Sequence, residues 1–273
     1  MRADLHVHST ASDGSLTPGA LVDVALKAGL THLAITDHDS IDGLDEAVAA
    51  AKGTGLTLIP AVELSALEPV GLDVHVLGFR VDPTDLVFRA ILADLRAARL
   101  ERAATMIESL DDGGFRVTLD DVLAHARGGA VGRSHVARAL VEAGHVADVA
   151  NAFDRLIGRG RPHYIPKSSH TTREAILLIR EAGGLAVIAH PGVNDLSALA
   201  MDLSVHELDG IEAYHADHTP AQRDFFSELA NRRGLFTTGG SDFHAPEGPN
   251  PPLGSVEYPR VALERFLQAC SDS

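Results

Sequence analysis

The chain has 273 residues, which is enough for one large α/β domain or for a domain that carries an inserted subdomain. Its formal net charge is −15, Trp is absent and aromatic residues make up 4%, so the composition argues against a surface that binds nucleic acid through positive charge and base stacking. One cysteine, Cys270, excludes a disulfide or a thiolate metal site within one chain. We find no signal peptide and no apolar run long enough to span a bilayer, and we therefore expect a cytoplasmic protein without membrane contact.

Short apolar strands alternate with amphipathic helices over the first third of the chain. Strands are predicted at 3–7, 32–36, 56–64 and 73–79, and helices at 18–28 and 41–52. Thr17 and Pro18 supply a helix N-cap and a proline at the first helical position. This alternation is typical of a parallel sheet whose strands are joined by helical crossovers.

The pattern becomes almost wholly helical between 83 and 160. Helices are predicted at 86–110, 119–126, 134–143 and 149–157, and we interpret residues 83–160 as a helical insertion that forms a cap. The arginines of the long helix are interpreted as a solvated face; they are Arg89, Arg96, Arg99 and Arg102. Alternation then resumes, with strands predicted at 185–189, 210–214 and 235–238 and helices at 171–182, 220–233 and 261–270.

Residue types that bind metal ions follow nearly every predicted strand. They are His6 and His8, Asp37 and His38, Glu63, His75, His190, and Asp242 with His244. Active sites of barrels and open α/β sheets form at the carboxyl ends of the strands, so we expect these side chains to converge. His6 and His8 lie two residues apart and project to one face of a strand, and Asp13 in the following loop can fold back over that face.

Imidazole and carboxylate together suit Zn²⁺, Fe²⁺ or Mn²⁺. The set is larger than one tetrahedral ion needs and fits two or three ions that share a bridging carboxylate, as in enzymes that hydrolyse phosphate esters. Taken singly, each residue has a simpler interpretation: Asp13 before Gly14 suits a turn, and Glu63 suits a buried ion pair. The joint pattern favours the metal site.

The metal-binding residue types occur in a specific order of short motifs between 2 and 245. The motifs are His6-Val7-His8-Ser9, Ser12-Asp13-Gly14, Thr36-Asp37-His38, Glu63, His75, His190-Pro191 and Ser241-Asp242-Phe243-His244. In these motifs the sequence resembles the PHP (polymerase and histidinol phosphatase) superfamily. The resemblance implies an α/β fold, a distorted (β/α)7 TIM-like barrel formed by 1–82 and 161–273, with 83–160 as its helical insertion.

The same resemblance implies three divalent metal ions, which would be Mn²⁺, Zn²⁺ or Fe²⁺. The first would be bound by His6, His8, Glu63 and Asp242, the second by Asp13, His38 and His244, and the third by Glu63, His75 and His190. Glu63 would bridge two of the ions. Asp37 is expected to orient a ligand imidazole rather than to bind metal.

The insertion resembles one branch of that superfamily, the stand-alone bacterial proteins that act on nucleotides. The resemblance lies in Gly132-Arg133-Ser134-His135-Val136-Ala137-Arg138, in Gly158-Arg159-Gly160 and in Tyr164-Ile165-Pro166-Lys167. The common form of the first motif has Pro where this sequence has Ser134. The resemblance to this branch implies a small phosphorylated partner such as a nucleotide, with short RNA as a further candidate. It implies no obligate protein partner.

Arg133, His135 and Lys167 are expected to bind a second phosphate of the substrate, because guanidinium and ammonium groups pair with phosphate oxygens. The alternative is that Arg133 and Lys167 are solvated surface charges. His218 follows a predicted strand and is a candidate acid that protonates the leaving group. Its alternative role is that of a neighbour of a helix N-cap.

We therefore predict hydrolysis of a phosphomonoester. The favoured substrates are the 3′-phosphate of a nucleoside 3′,5′-bisphosphate and the end of a short oligoribonucleotide, attacked in line by water without a phosphoenzyme. One alternative is a histidinol-phosphate phosphatase, which the strand-end motifs fit equally well but the insertion does not favour. The other is a non-catalytic metal-binding or polymerase-accessory module, against which the full set of ligand types argues.

Overall fold

The computed structural model describes residues 1–69, 71–167, 169–193, 195–203, 207–247 and 251–272. Within these ranges the strands are β1 (Ala3–Val7), β2 (His32–Ile35), β3 (Thr57–Leu58), β4 (Ala61–Leu67), β5 (Asp73–Phe79), β6 (Leu185–Ile188), β7 (Gly210–His215) and β8 (Phe236–Gly240). The helices are α1 (Pro18–Lys27), α2 (Leu44–Ala51), α3 (Leu86–Asp112), α4 (Leu119–Ala126), α5 (Arg133–Glu142), α6 (Val149–Ala152), α7 (Thr172–Glu181), α8 (Ser197–Leu203), α9 (Pro220–Arg233) and α10 (Arg260–Asp272). A π-helical turn, Phe153–Ile157, continues α6.

The strands form two sheets that meet through backbone pairs. One sheet is parallel with the order β1-β2-β3, and the other has the order β4-β5-β6-β7-β8. His38 pairs with Glu63, which joins the end of β2 to β4, and Val7 pairs with Phe243, which joins the end of β1 to the segment after β8. The fold is thus an α/β arrangement in which residues from both sheets line one edge.

The expectation of a wholly parallel sheet is wrong for β5, which runs antiparallel to both β4 and β6. A parallel neighbour of β4 would need a long crossover, whereas residues 68–72 are only long enough to reverse the chain. The consequence matters for function. His75 lies in the first half of β5, and the reversal brings that half of the strand to the edge that carries Glu63.

The prediction of a single strand at 56–64 is also wrong. Residues 57–58 and 61–67 are separate strands that belong to different sheets. Pro60 lies between them, and a proline has no N–H to donate to a strand ladder. Glu63 is therefore the third residue of β4 rather than a strand terminus.

Side-chain caps explain where several helices begin. The hydroxyl of Thr17 accepts from Ala20 N at 3.2 Å, with Pro18 at the first helical position as predicted. Thr171 and Glu174 form the predicted capping box at the start of α7. The caps thereby fix the first residues of α1 and α7.

The helical segment after β5 has an apolar core of its own. Met106, Leu110, Val136, Leu140 and Ile157 are among its buried members. The segment packs on the loop after β1, where Ala130 N donates to Ala11 O at 3.0 Å. Helix α5 is thus placed beside the edge formed by the strand ends. Among the described helices, none is both long and apolar enough to cross a membrane.

Candidate metal centre

Glu63 lies at the middle of a ring of imidazoles. Its side chain is buried, and both carboxylate oxygens have histidine nitrogens around them. Oε1 lies 2.9 Å from His75 Nδ1, 3.3 Å from His190 Nε2 and 3.4 Å from His6 Nε2, while Oε2 lies 2.9 Å from His38 Nδ1 and 3.2 Å from His8 Nε2. This carboxylate has the position of a bridging group.

Two further carboxylates complete the cluster. Asp242 Oδ1 lies 3.1 Å from His8 Nε2 and 3.4 Å from His6 Nε2. Asp13 Oδ1 lies 3.3 Å from His244 Nε2. The structure therefore brings together all of the residues proposed as metal ligands from the sequence: His6, His8, Asp13, His38, Glu63, His75, His190, Asp242 and His244.

Many atoms of this cluster are close to one another without forming hydrogen bonds. Within the described part of the chain, the buried atoms that have no hydrogen-bond partner include His6 Nε2, His8 Nε2, Asp13 Oδ1, His38 Nδ1, Glu63 Oε2, His75 Nδ1 and His190 Nδ1. Buried polar atoms are costly when nothing satisfies them. Several nitrogen and oxygen lone pairs directed towards common points are what cations require, so the residues present fit divalent metal ions.

The ligand atoms fall into overlapping groups whose members all lie within 4.8 Å of one another. The groups are His8, Asp13, His38 and His244; His6, His8 and Asp242; His38, Glu63 and His75; His6, Glu63 and His190; and His6, Glu212 and His215. His6, His8, His38 and Glu63 each belong to more than one group. The overlap is the geometry expected when neighbouring ions share ligands.

The carboxylate charges in the cluster suit cation binding. Burial by itself would raise the pKa of Glu63, but the nearby His38 and His75 hold it well below its usual value. For Asp242 burial also raises the pKa, and His6 and His244 more than reverse this effect. Burial lowers the pKa of His75 to about 4 despite the opposing effect of Glu63. The carboxylates are thus ionised and His75 keeps a free lone pair. Burial lowers the pKa values of His6, His8, His190 and His244, but the neighbouring carboxylates raise them above the usual value, so these rings would release protons when a metal ion binds.

Glu212 is a buried carboxylate beside the cluster that the sequence analysis missed. Its Oε1 lies 3.0 Å from His6 Nδ1, and its Oε2 accepts from His190 N at 2.7 Å. His190 has a positive φ of 27°, a strained conformation for a non-glycine residue. Glu212 thus fixes the ring of one candidate ligand and the backbone of another. A carboxylate inside the apolar strand β7 is the signal that could have revealed it.

Asp37 was expected to orient an imidazole, and its contacts differ from that expectation. Its Oδ1 accepts from Ser9 N at 2.7 Å and from Ser12 Oγ at 2.5 Å, and its Oδ2 accepts from Ser9 Oγ at 2.5 Å. Ser12 Oγ in turn lies 3.5 Å from His8 Nδ1. Asp37 therefore fixes the loop after β1 and reaches the imidazole only through Ser12.

His218 and His135 use their rings to bind backbone groups. His218 Nε2 accepts from Gly192 N at 3.0 Å, and its Nδ1 lies 2.9 Å from Ala213 O, to which it donates. His135 Nδ1 accepts from Gly132 N at 3.0 Å, and burial lowers the pKa of this histidine to about 4. Neither is among the described residues that line the cavity beside the cluster. These contacts favour structural roles for both.

A cavity of about 140 Å³ adjoins the cluster on the side of the helical segment. Its lining includes three residues of the cluster, Asp13, His38 and His75, and two other carboxylates, Asp39 and Asp73. It also includes four cationic side chains, those of Arg99, Arg102, Arg133 and Lys167. Arg133 and Lys167 thus line the same cavity as three of the candidate metal ligands. Both ion-pair with Asp73, and Arg133 Nη2 lies 3.2 Å from its Oδ2.

The interpretation of the α3 arginines as a solvated face is wrong for Arg99 and Arg102. Arg99 Nε donates to Asp39 Oδ2 at 2.6 Å, and its Nη2 donates to Ser65 Oγ at 2.6 Å. Arg102 Nε donates to Ile165 O at 2.8 Å. Arg89, by contrast, is exposed as expected.

Comparisons with known proteins identify the family of this chain. A protein family described as "PHP domain" matches residues 4–158. The chain is 37% identical over 250 residues to the 5′-3′ exoribonuclease Rnm of Escherichia coli strain K12, covering 89% of this chain and 85% of that protein. It is 36% identical over 260 residues to the 3′,5′-nucleoside bisphosphate phosphatase of Chromobacterium violaceum, covering 93% and 91%.

A solved structure from Bifidobacterium adolescentis, inferred to be that of a metal-dependent phosphoesterase, superposes with a TM-score of 0.86 at 37% identity. The superposition covers 97% of this chain and 95% of that one. The match to the family and the extent of the related sequences confirm the family that the motifs resemble. This chain belongs to the PHP domain family.

Proposed function

We propose that the protein is a metal-dependent phosphoesterase that hydrolyses a phosphomonoester of a nucleotide. The proposed substrates are nucleoside 3′,5′-bisphosphates, cleaved at the 3′-phosphate, and the ends of short oligoribonucleotides. The observation that carries this proposal is the position of Arg133 and Lys167, which line the same cavity as His38 and His75. A phosphate held at the cluster would leave a second phosphate of the same nucleotide within reach of the two cations.

Three divalent ions, Mn²⁺, Zn²⁺ or Fe²⁺, are proposed for the cluster. His6, His8, Glu63 and Asp242 would hold one, Asp13, His38 and His244 a second, and Glu63, His75 and His190 a third. The orphaned lone pairs of the cluster and its overlapping groups support this assignment. When bound, such ions polarise phosphoryl oxygens and lower the pKa of water.

The chain's own residues bind and orient the substrate in this proposal. Arg133 offers a planar guanidinium that pairs with two phosphate oxygens, and Lys167 offers a compact charge. The Arg133 guanidinium lies 5.6 Å from the ring centres of Phe153 and Tyr164, which fix its plane. Asp37 and His218 would support the loops around the site, and His135 would hold the start of α5.

The fold supports the same division of labour. We propose that 1–82 and 161–273 form a distorted (β/α)7 barrel and that 83–160 is a helical insertion over its mouth. The separate apolar core of the helical segment and the backbone pairs between the two sheets support this view. The barrel would then carry the metal ligands, and the insertion would supply Arg99, Arg102 and Arg133.

A substrate panel tests the proposed function. Purified protein is assayed with Mn²⁺, Zn²⁺ and Fe²⁺ on adenosine 3′,5′-bisphosphate, adenosine 3′-monophosphate, histidinol phosphate and a short RNA. We expect kcat/KM for the bisphosphate to exceed that for histidinol phosphate by about tenfold or more, because only the bisphosphate reaches the two cations. Preference for histidinol phosphate would favour the rival phosphatase.

Two variants test the role of the cluster. We expect His8→Ala and Asp242→Ala to lower kcat by about a hundredfold or more, because each removes a candidate metal ligand. Glu264→Gln is the control, since Glu264 only pairs with Arg260 on the exposed side of α10. Undiminished phosphatase activity of metal-loaded His8→Ala would refute the assignment.

A further inference from the structure

Four cationic side chains line the cavity, and we call them its cationic end: Arg99, Arg102, Arg133 and Lys167. This end already contains an anion that belongs to the chain. The Asp73 carboxylate contacts Lys167 Nζ through Oδ1, and its Oδ2 lies 3.2 Å from Arg133 Nη2. The same two cations are those proposed to bind the second phosphate of the substrate. Asp73 therefore occupies the position that such a phosphate would take.

Asp73 lies between the cationic end and the candidate metal centre. Asp73 and His75 are two residues apart on β5, so their side chains project to the same face. Asp73 Oδ1 lies 3.8 Å from His75 Nε2. A substrate that bridges the metal centre and the cations must therefore pass over this carboxylate or displace it.

The two guanidinium groups at this end, those of Arg133 and Arg102, have contacts other than Asp73. Phe153 and Tyr164 lie on the guanidinium of Arg133, and the guanidinium of Arg102 lies 5.8 Å from the ring centre of Tyr164. Arg102 Nε is fixed by the carbonyl of Ile165. Removal of the Asp73 charge should thus leave the guanidinium groups of Arg102 and Arg133 largely in place.

The cationic end also has more positive charge than Asp73 alone can balance. Arg133 and Lys167 share Asp73, and Arg99 pairs with Asp39. Among the described residues, no salt bridge is found for Arg102, and its Nη2 is buried without a hydrogen-bond partner. A phosphate carries a charge of about −1.5 to −2 and three acceptor oxygens, so it satisfies this end better than one carboxylate does.

We propose that Asp73 is a resident counterion that the second phosphate of the substrate displaces. It would neutralise the two cations between turnovers and weaken the binding of every ligand that carries a phosphate at this position. Asp73 would thereby set the selectivity between bisphosphates and simple phosphomonoesters, and it would hasten the release of a nucleoside 5′-monophosphate product. This inference rests on the proposed function.

The test compares Asp73→Asn with the unaltered protein, both loaded with metal. KM is measured for adenosine 3′,5′-bisphosphate and adenosine 3′-monophosphate, together with inhibition by adenosine 5′-monophosphate. We expect the ratio of the two KM values to shift about three- to tenfold in favour of the bisphosphate, and the inhibition constant to fall by a similar factor. Asp202→Asn, which removes an exposed partner of Arg173, is the matched control and should leave the ratio unchanged.

A shift of the KM ratio in the opposite direction would overturn the inference. If Asp73→Asn weakens binding of the bisphosphate, Asp73 positions the cations and the inference is overturned. A crystal structure of the unaltered protein with adenosine 5′-monophosphate tests the inference independently of how the variant folds. We expect the phosphate between Arg133 and Lys167 with the Asp73 carboxylate moved away, and an intact Asp73–Lys167 contact beside the bound nucleotide would contradict us.

These outcomes separate the inference from the proposed function. If the unaltered protein hydrolyses no phosphomonoester, the proposed function fails. If the unaltered protein is active and the Asp73→Asn ratio does not shift, only the inference fails.

Discussion

Glu212 Oε1 lies 3.0 Å from Nδ1 of His6, on the side of the ring opposite to the nitrogen that faces Glu63 and Asp242. Both side chains are fully buried. A carboxylate in this place selects the tautomer that leaves Nε2 free and raises the basicity of the ring. Glu212 therefore orients a candidate metal ligand without itself needing to contact an ion.

We predict that Glu212→Gln weakens metal binding by about 10- to 100-fold, because the amide orients His6 less firmly and carries no charge. Metal content after dialysis and titration calorimetry give the affinity directly. The control is Glu228→Gln, since Glu228 pairs with Arg232 on the exposed side of α9. Unchanged metal affinity in Glu212→Gln would contradict this role.

Removal of metal should destabilise the protein. Ions that bind only the folded state stabilise it by about 2.7 kcal/mol when their free concentration is a hundred times Kd. For a chain of this length that corresponds to a fall in Tm of roughly 5–10 °C after chelation. Calorimetry before and after chelation measures the change, and re-addition of Mn²⁺ or Zn²⁺ should restore it. A Tm that chelation does not lower would argue against a metal centre.

The ion pair of Asp39 and Arg99 should make the free energy of unfolding depend on pH in the acidic range. Burial raises the pKa of Asp39, but Arg99 and the amide of Ser65 lower it below 3.8. Because the folded-state pKa is depressed, the stabilisation is complete above the unfolded value and is lost as the pH falls through the folded value. Asp39→Asn leaves a mostly buried guanidinium unpaired, so we expect a loss of about 3 kcal/mol near neutral pH.

Urea unfolding of Asp39→Asn and of the unaltered protein across the acidic range checks this expectation. The difference in unfolding free energy should be constant above pH ~5 and should shrink below pH ~4. Asp82→Asn is the control. Asp82 accepts hydrogen bonds from Thr84 at an exposed turn, so this variant should lower the free energy of unfolding only slightly. A difference that grows towards low pH would contradict the sign that we assign.

Gly240 should tolerate no side chain. A Cβ at this position would lie 2.3 Å from the Cβ of His6 and 2.5 Å from its backbone nitrogen, and β1 cannot give way without moving a candidate ligand. We expect Gly240→Ala to lower the free energy of unfolding by about 1–3 kcal/mol and to reduce metal content. Gly19→Ala is the control, because its Cβ would meet only the flexible end of Glu46.

The sequence allowed most of the candidate metal centre to be predicted, because its residues lie in short motifs at the ends of local elements. His6 and His8 need only the two-residue repeat of a strand. The direction of β5 and the break at Pro60 were not foreseen. The antiparallel pairing of β4 with β5 puts His75 opposite Ser65, diagonal to Glu63, and the two side chains meet at 2.9 Å. The family and the phosphoesterase class predicted from these motifs are confirmed by the comparisons.

The residues that were missed depend on contacts between distant segments. Glu212 reaches His6 across 206 positions of the chain, and no spacing rule connects them. For Arg99 and Arg102 a local signal did exist. They fall at helical spacing from Leu92, Leu95 and Met106, the buried face of α3, so periodicity places them inward despite their charge.

Ser134 stands where the family resemblance led us to expect proline, and its hydroxyl donates to Asp13 Oδ2 at 3.0 Å. Arg138, one turn further along α5, donates to the carbonyl of Asp13 at 3.0 Å. The cap and the ion ligands are therefore not separable modules: a proline at 134 would remove a donor from the very carboxylate that faces His244. A substitution at the start of α5 would therefore change the surroundings of a candidate metal ligand.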